Sequence, residues 1–175
     1  MSIQNSVGRL VEGNRRFIET QGKFLAKHVS GQKPFAAILT CSDSRVPPEL
    51  IFDAGIGELF VVRDAGNIAF GPSVIGSLEY AVTHLRVPLL LILGHTNCGA
   101  LKASEAGPGD GSHVGEIVNE IRCCFGGGDN LRDNVRRQEQ MLLQRSPPIA
   151  EAVKAGALKI QGAVYHLEDG AVEFL

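Results

Sequence analysis

Val87-Pro88-Leu89-Leu90-Leu91-Ile92-Leu93-Gly94-His95-Thr96-Asn97-Cys98-Gly99 decides the fold class. Its first eight residues are apolar without period-2 alternation, which reads as a strand buried on both faces. The run stops at a polar turn carrying a histidine and a cysteine three residues apart. Towards the N-terminus, Phe35-Ala36-Ala37-Ile38-Leu39-Thr40 has the same character and stops at Cys41-Ser42-Asp43-Ser44-Arg45. Between them, residues 58–63 contain Leu59-Phe60-Val61-Val62, expected as a further buried strand, with Asp64-Ala65-Gly66-Asn67 as the loop after it.

Helical periodicity fills the intervals. Residues 72–85 repeat Val74, Ile75, Leu78, Ala81, Val82 and Leu85 at helical spacing. Pro47 and Pro48 open a short helix through Phe52. Further helices are expected over 113–125, 130–143 and 148–155, separated by Gly-rich loops at 107–111 and 126–129. Residues 158–165 and 171–175 flank the turn Glu168-Asp169-Gly170, so the chain closes on a hairpin. Residues 5–25 carry Val7, Leu10, Val11, Phe17 and Ile18 at helical spacing, as one amphipathic helix or two short ones. Strands alternating with helices define an α/β fold: a single domain with a mainly parallel central sheet flanked by helices, a C-terminal antiparallel strand and an N-terminal helical arm. Residues 1–30 are expected as the arm and 31–175 as the α/β domain.

A chain of 175 residues is long enough for one domain with a sizeable core. A net charge of −2 gives no electrostatic footprint for nucleic acid or an anionic membrane. No stretch approaches the roughly 18–20 apolar residues of a membrane span, and residues 1–10 lack the apolar core of a signal peptide. These features point to a cytoplasmic protein without nucleic-acid or membrane partners. Thiols stay reduced in that compartment, so four cysteines suggest metal binding or catalysis before disulfides.

In open parallel sheets, ligands bind beyond the carboxyl ends of the strands, and both cysteine segments fall at such positions. A lone cysteine after a strand is ordinarily a small buried hydrophobe. The second segment changes that reading for Cys41. With His95 and Cys98 it offers two thiolates and one imidazole, a set suited to tetrahedral Zn²⁺, and three protein ligands leave the fourth position open as in catalytic zinc sites. Cys123-Cys124 supplies further thiols, but adjacent helical residues point about 100° apart, so at most one can join, and partly buried helix residues are the plainer reading. Asp43 and Arg45 follow Cys41 by two and four positions. An exposed pair of this kind is worth little. Beside a metal, a bidentate arginine keeps the carboxylate off the ion and leaves it to accept a hydrogen bond from metal-bound water. No phosphate-loop or dinucleotide motif is present in strand–helix context.

Three segments together, Cys41-Ser42-Asp43-Ser44-Arg45-Val46, Arg63-Asp64-Ala65-Gly66-Asn67 and Gly94-His95-Thr96-Asn97-Cys98-Gly99, resemble the signature segments of β-carbonic anhydrases. Residues 159–165 and 172–175 are similar to that family's closing strands. The resemblance implies reversible hydration of carbon dioxide to bicarbonate and a proton through zinc-bound hydroxide, with one Zn²⁺ per subunit on Cys41, His95 and Cys98. It implies Asp43 and Arg45 as the catalytic dyad. It places Gln32, Phe60, Ala65 and Tyr80 at substrate-binding positions and His84 at a proposed proton-shuttle position. Ala65 is smaller than the aliphatic residue usual there in plant-type members. The bicarbonate-inhibited branch carries a tryptophan where Ile38 stands, and this chain has no tryptophan, so an open zinc site with Asp43 off the metal is expected. A homodimer or homotetramer is implied, with the apolar face of the N-terminal helix suited to embracing a neighbour. Two alternatives use the same residues: a carbonyl sulfide or carbon disulfide hydrolase, and an inactive zinc-binding scaffold protein.

Overall fold

The computed structural model describes residues 3–175; Met1 and Ser2, which open the polar N-terminal stretch, lie outside the described residues. The chain divides into two compact units after Gln32. The first holds helix α1, Ile3–Leu25, followed by a 3-10 turn over Ala26–His28. It is one continuous helix rather than two short ones, because no proline interrupts the amphipathic repeat. None of its residues is buried, and Val7, Leu10, Val11, Phe17 and Ile18 are exposed.

The second unit is a five-stranded sheet with helices between the strands. Its strands are β1 (Ala36–Thr40), β2 (Leu59–Arg63), β3 (Leu89–His95), β4 (Lys159–Tyr165) and β5 (Val172–Phe174). Their order is β2-β1-β3-β4-β5. The first four are parallel, and β5 closes antiparallel on β4. The helices are α2 (Pro48–Ile51), α3 (Pro72–Thr83), α4 (Gly99–Ala106), α5 (His113–Arg122), α6 (Asn130–Arg145) and α7 (Pro147–Lys154). Parallel neighbours need crossover connections, and helices supply them.

Side-chain alternation splits the core across the sheet. Ala37, Leu39, Leu90 and Ile92 join residues of α3, α6 and α7 on one face. Ile38, Leu91 and Leu93 meet Val46, Ile51 and Phe52 on the other. All five β1 residues are buried, as the apolar run requires.

Strand β2 departs from the expected buried strand. It lies at the sheet edge, so its first four residues are half-buried and Arg63 is exposed. Helix α4 was not legible as a separate element. Residues 99–106 consist mainly of helix formers, but the segment spans barely two turns and lacks a clear apolar stripe.

From β1 the chain crosses first to β2 on one side and later to β3 on the other, so the strand order reverses between β1 and β3. A crevice opens beyond the carboxyl ends of the strands at such a reversal. Cys41 follows β1 directly, His95 ends β3, and Cys98 caps the start of α4.

Candidate metal centre

Cys41, His95 and Cys98 are buried and converge at this crevice, with their ligand atoms within 4.8 Å of one another. The two sulfurs are 4.0 Å apart. Two sulfurs at about 2.3 Å from a tetrahedral zinc lie about 3.8 Å from each other, so the spacing suits one ion. The His95 ring supports the same reading. Its Nδ1 lies 2.8 Å from the Thr96 carbonyl oxygen, which only accepts, so Nδ1 carries the proton and Nε2 keeps a free lone pair. That Nε2 is buried without a hydrogen-bond partner. A buried orphan acceptor is costly, and a metal ion removes the cost. The donor set therefore fits zinc.

The two sulfurs are in hydrogen-bond contact, and either can be the donor. Contact with the Cys98 sulfur, then contacts with His95 and the Gly66 backbone, lower the pKa of Cys41 against the opposing effect of burial. The same sulfur–sulfur contact, then burial, raises that of Cys98. Gly66 N–H donates to Cys41 Sγ at 3.3 Å. Ile68, Leu101 and Ile121 pack around the sulfurs as an apolar cup.

Asp43 stands beside the cluster, with Oδ2 3.9 Å from His95 Nε2. Arg45 grips it through Nε to Oδ1 at 2.9 Å and Nη2 to Oδ2 at 2.7 Å, and the Arg45 backbone N–H adds a bond to Oδ1 at 2.9 Å. These bonds hold the carboxyl well below the usual carboxylate range, so Asp43 is ionised at neutral pH. Arg45 Nη2 also donates to the Asn97 carbonyl at 3.3 Å, joining the two ligand loops.

The other expected site residues fall into separate groups. Ala65 is half-buried in the 3-10 turn Ala65–Asn67, one residue before the Gly66 N–H that reaches Cys41. Phe60, Tyr80 and His84 form an aromatic row, with Phe60 and Tyr80 centroids 6.1 Å apart and Tyr80 stacked on His84 at 4.9 Å. The cleft of about 370 Å³ beside His95 and Cys98 is lined instead by Asn97, Leu101, Lys102 and the segment 128–131. His84 is exposed, with Nδ1 2.8 Å from Thr83 Oγ1. Gln32 is exposed and ends the first unit. Cys123 and Cys124 are free thiols outside the cluster.

Several supporting residues have no role assigned from the sequence, although Arg63 opens one of the three resembling segments. Arg63 donates to the carbonyls of Cys41 at 3.2 Å and Asp43 at 2.6 Å. Glu168 accepts from Thr96 Oγ1 at 2.8 Å and Asn97 Nδ2 at 2.9 Å, bracing the turn between His95 and Cys98. Asn97 in that turn is left-handed, with φ of 57°. Asn134 and Gln138 of α6 reach the loop after β2. The partners of Glu168, Asn134 and Gln138 lie about 70 residues away, so no local pattern announces them.

A family model described as carbonic anhydrase matches residues 36–125. Carbonic anhydrase 2 of Mycobacterium tuberculosis is 39% identical over 181 residues, covering 92% of this chain and 87% of that protein. Among solved structures, a Coccomyxa β-carbonic anhydrase in complex with acetazolamide has a TM-score of 0.82 at 28% identity, covering 95% of this chain and 84% of that one. One of two tetrameric β-carbonic anhydrases from Sordaria macrospora shares the fold, with a TM-score of 0.83 at 23% identity and coverage of 98% and 97%. This chain belongs to the β-class carbonic anhydrase family of enzymes.

Proposed function

We propose that the protein hydrates carbon dioxide reversibly to bicarbonate and a proton at one zinc ion per subunit, held by Cys41, His95 and Cys98. The observation that carries this reading is the partnerless His95 Nε2 buried beside two sulfurs 4.0 Å apart, with the clamped Asp43 carboxylate at 3.9 Å. When bound, zinc supplies Lewis acidity that draws the pKa of a water from 15.7 towards about 7.

The chain's own residues do the rest. Asp43, ionised and acceptor-only, takes a hydrogen bond from the attacking water and orients its lone pair towards the substrate carbon. Arg45 occupies both Asp43 oxygens and so keeps this carboxylate from competing for the fourth ligand position. Carbon dioxide offers little binding surface, so holding it beside an oriented nucleophile carries most of the effect. Phe60, Ala65 and Tyr80 line the apolar approach in this reading, Gln32 contacts substrate, and His84 passes the released proton to solvent.

In this reading residues 1–30 serve as an arm that packs on a second copy in a homodimer or homotetramer, and 31–175 form the catalytic domain. Tetramers occur in the Sordaria macrospora relatives, and the exposed apolar side chains of α1 suit such a role. No helix among the described residues is long and apolar enough to cross a membrane; reduced thiols as ligands fit a cytoplasmic setting.

Metal analysis combined with stopped-flow carbon dioxide hydration against pH tests the proposal. One zinc per chain and hydration that rises towards alkaline pH are expected, because two thiolates donate charge and leave the water pKa less depressed than imidazoles do. A zinc-loaded protein without hydration activity refutes it.

A further inference from the structure

Helix α6 carries two fully buried amides where apolar side chains would pack without cost. Asn134 and Gln138 are both 0% exposed and lie one turn apart, on one face of the helix. Asn134 Nδ2 donates to the Gly66 carbonyl at 3.0 Å. Gln138 Nε2 donates to Asn134 Oδ1 at 3.1 Å and approaches Cys124 Sγ at 3.4 Å. Gln138 Oε1 accepts from Ala69 N–H at 2.8 Å. Turned the other way, Asn134 would set its oxygen against a carbonyl and Gln138 would set its NH₂ against an N–H. The network therefore has one arrangement.

We infer that Asn134 and Gln138 are positioning residues for the metal centre, clamping the segment 66–69 so that the Gly66 N–H is aimed at Cys41 Sγ. The inference rests on the reading of Cys41 as a metal ligand. The geometry that carries it is the unbroken chain Gln138–Asn134–Gly66–Cys41, whose last link is the 3.3 Å bond to the sulfur. A buried polar pair is tolerated only when its hydrogen bonds are made, and here two of those bonds hold the loop backbone that touches the sulfur. An N–H bond to a thiolate fixes the sulfur's orientation and draws charge from it. Such outer partners tune both metal affinity and ligand basicity.

The test uses the full chain with Asn134→Leu, Asn134→Asp and Gln138→Met, and Leu91→Ala as a change in the core cluster on the other face of the sheet, which holds no residue of the 66–69 loop. Two readouts are taken: the zinc dissociation constant by chelator competition, and the sulfur-to-metal charge-transfer band of the cobalt(II)-substituted protein. In the Asn134 variants zinc affinity is expected to fall about 10- to 100-fold and the band to shift. Gln138→Met is expected to move both readouts the same way but less, because the bond to Gly66 remains. Leu91→Ala is expected to lower Tm while moving neither. Wild-type affinity with an unmoved band in a folded Asn134 variant overturns the inference; if neither Asn134 variant folds, Gln138→Met decides by the same two readouts. A wild-type cobalt protein without any sulfur-to-metal band would instead remove the ligand reading itself, so the two failures are distinguishable.

Discussion

Arg45 and Asp43 meet through two parallel hydrogen bonds, at 2.9 and 2.7 Å, and this pairing leaves Asp43 Oδ2 3.9 Å from the free lone pair of His95. The carboxylate is near enough to compete for a metal, yet both its oxygens already accept from Arg45, and Oδ2, with a single bond, keeps acceptor capacity for a water. Without the guanidinium, only the residue-45 backbone N–H would remain on Oδ1, and Oδ2 would be left without a partner beside any bound cation.

Arg45→Ala is therefore expected to retain zinc but lose carbon dioxide hydration by about 10²-fold or more, the scale of a lost general acid–base group. Arg45→Lys should recover only part of the loss, because an ammonium cannot make the two parallel bonds. Stopped-flow hydration with parallel metal analysis checks both. Wild-type rates in Arg45→Ala would remove the dyad from the mechanism.

Cys98→Ala takes one of two sulfurs out of the three-residue cluster that could hold the metal. Stoichiometric zinc and hydration activity should both disappear. Metal analysis after dialysis against a mild chelator is the measurement, and full retention of zinc would contradict the ligand assignment.

Glu168→Ala removes the brace from Thr96 and Asn97, in a turn whose Asn97 is left-handed. Zinc affinity is expected to fall about 10-fold, as for other outer partners of metal ligands. The hydrogen bond from Thr96 lowers the Glu168 pKa. A depressed folded-state pKa means that the stability the brace contributes is fully present above the ordinary carboxylate value of 4.5 and is lost as pH falls through the lower folded value. Chelator competition at pH 7 tests the variant.

Gly66→Ala places a Cβ 2.4 Å from Ile121 Cδ1, at a φ of +75°. Overpacking costs about 1–3 kcal/mol, and the left-handed backbone adds about 1–2 kcal/mol for a residue with a Cβ. Urea unfolding should show the combined loss. Adding Ile121→Val deletes the clashing methyl and should return the overpacking part only, leaving the backbone part in place.

Arg132 ties α6 to β5 by pairing with both Asp129 and Glu173. Both carboxyl pKa values are lowered, with hydrogen bonds to Arg132 as the first cause in each. Depressed folded-state values mean stability that is present above about pH 4.5 and lost as pH falls through the lower folded values. The urea midpoint should therefore drop between pH 5 and pH 3, and the drop should be smaller in Arg132→Ala. Identical pH profiles for the two proteins would show that these pairs contribute nothing.

Much of the fold could be read directly. The apolar runs ending at Thr40 and Gly94 are strands because they lack alternation, and residues 72–85 announce helix α3 by period. Helix α4 escaped because eight residues of helix formers leave no stripe to read. Leu59-Phe60-Val61-Val62 has the composition of an inner strand, whereas the edge position of β2 depends on where other strands pair.

At the centre, the sequence by itself determined the donor types. Two thiols and an imidazole follow strand ends, and a carboxylate and a guanidinium stand two and four positions beyond the first sulfur. Covalent order fixes those facts. Tertiary structure alone decided that β1 lies beside β3, which brings Cys41 to His95 and Cys98 across more than fifty residues. It also decided that Glu168, Asn134 and Gln138 support their loops from about 70 residues away. The reason is physical: periodicity records which face of an element meets the core, whereas a polar side chain's partner is set only when the chain closes and buried groups must satisfy one another.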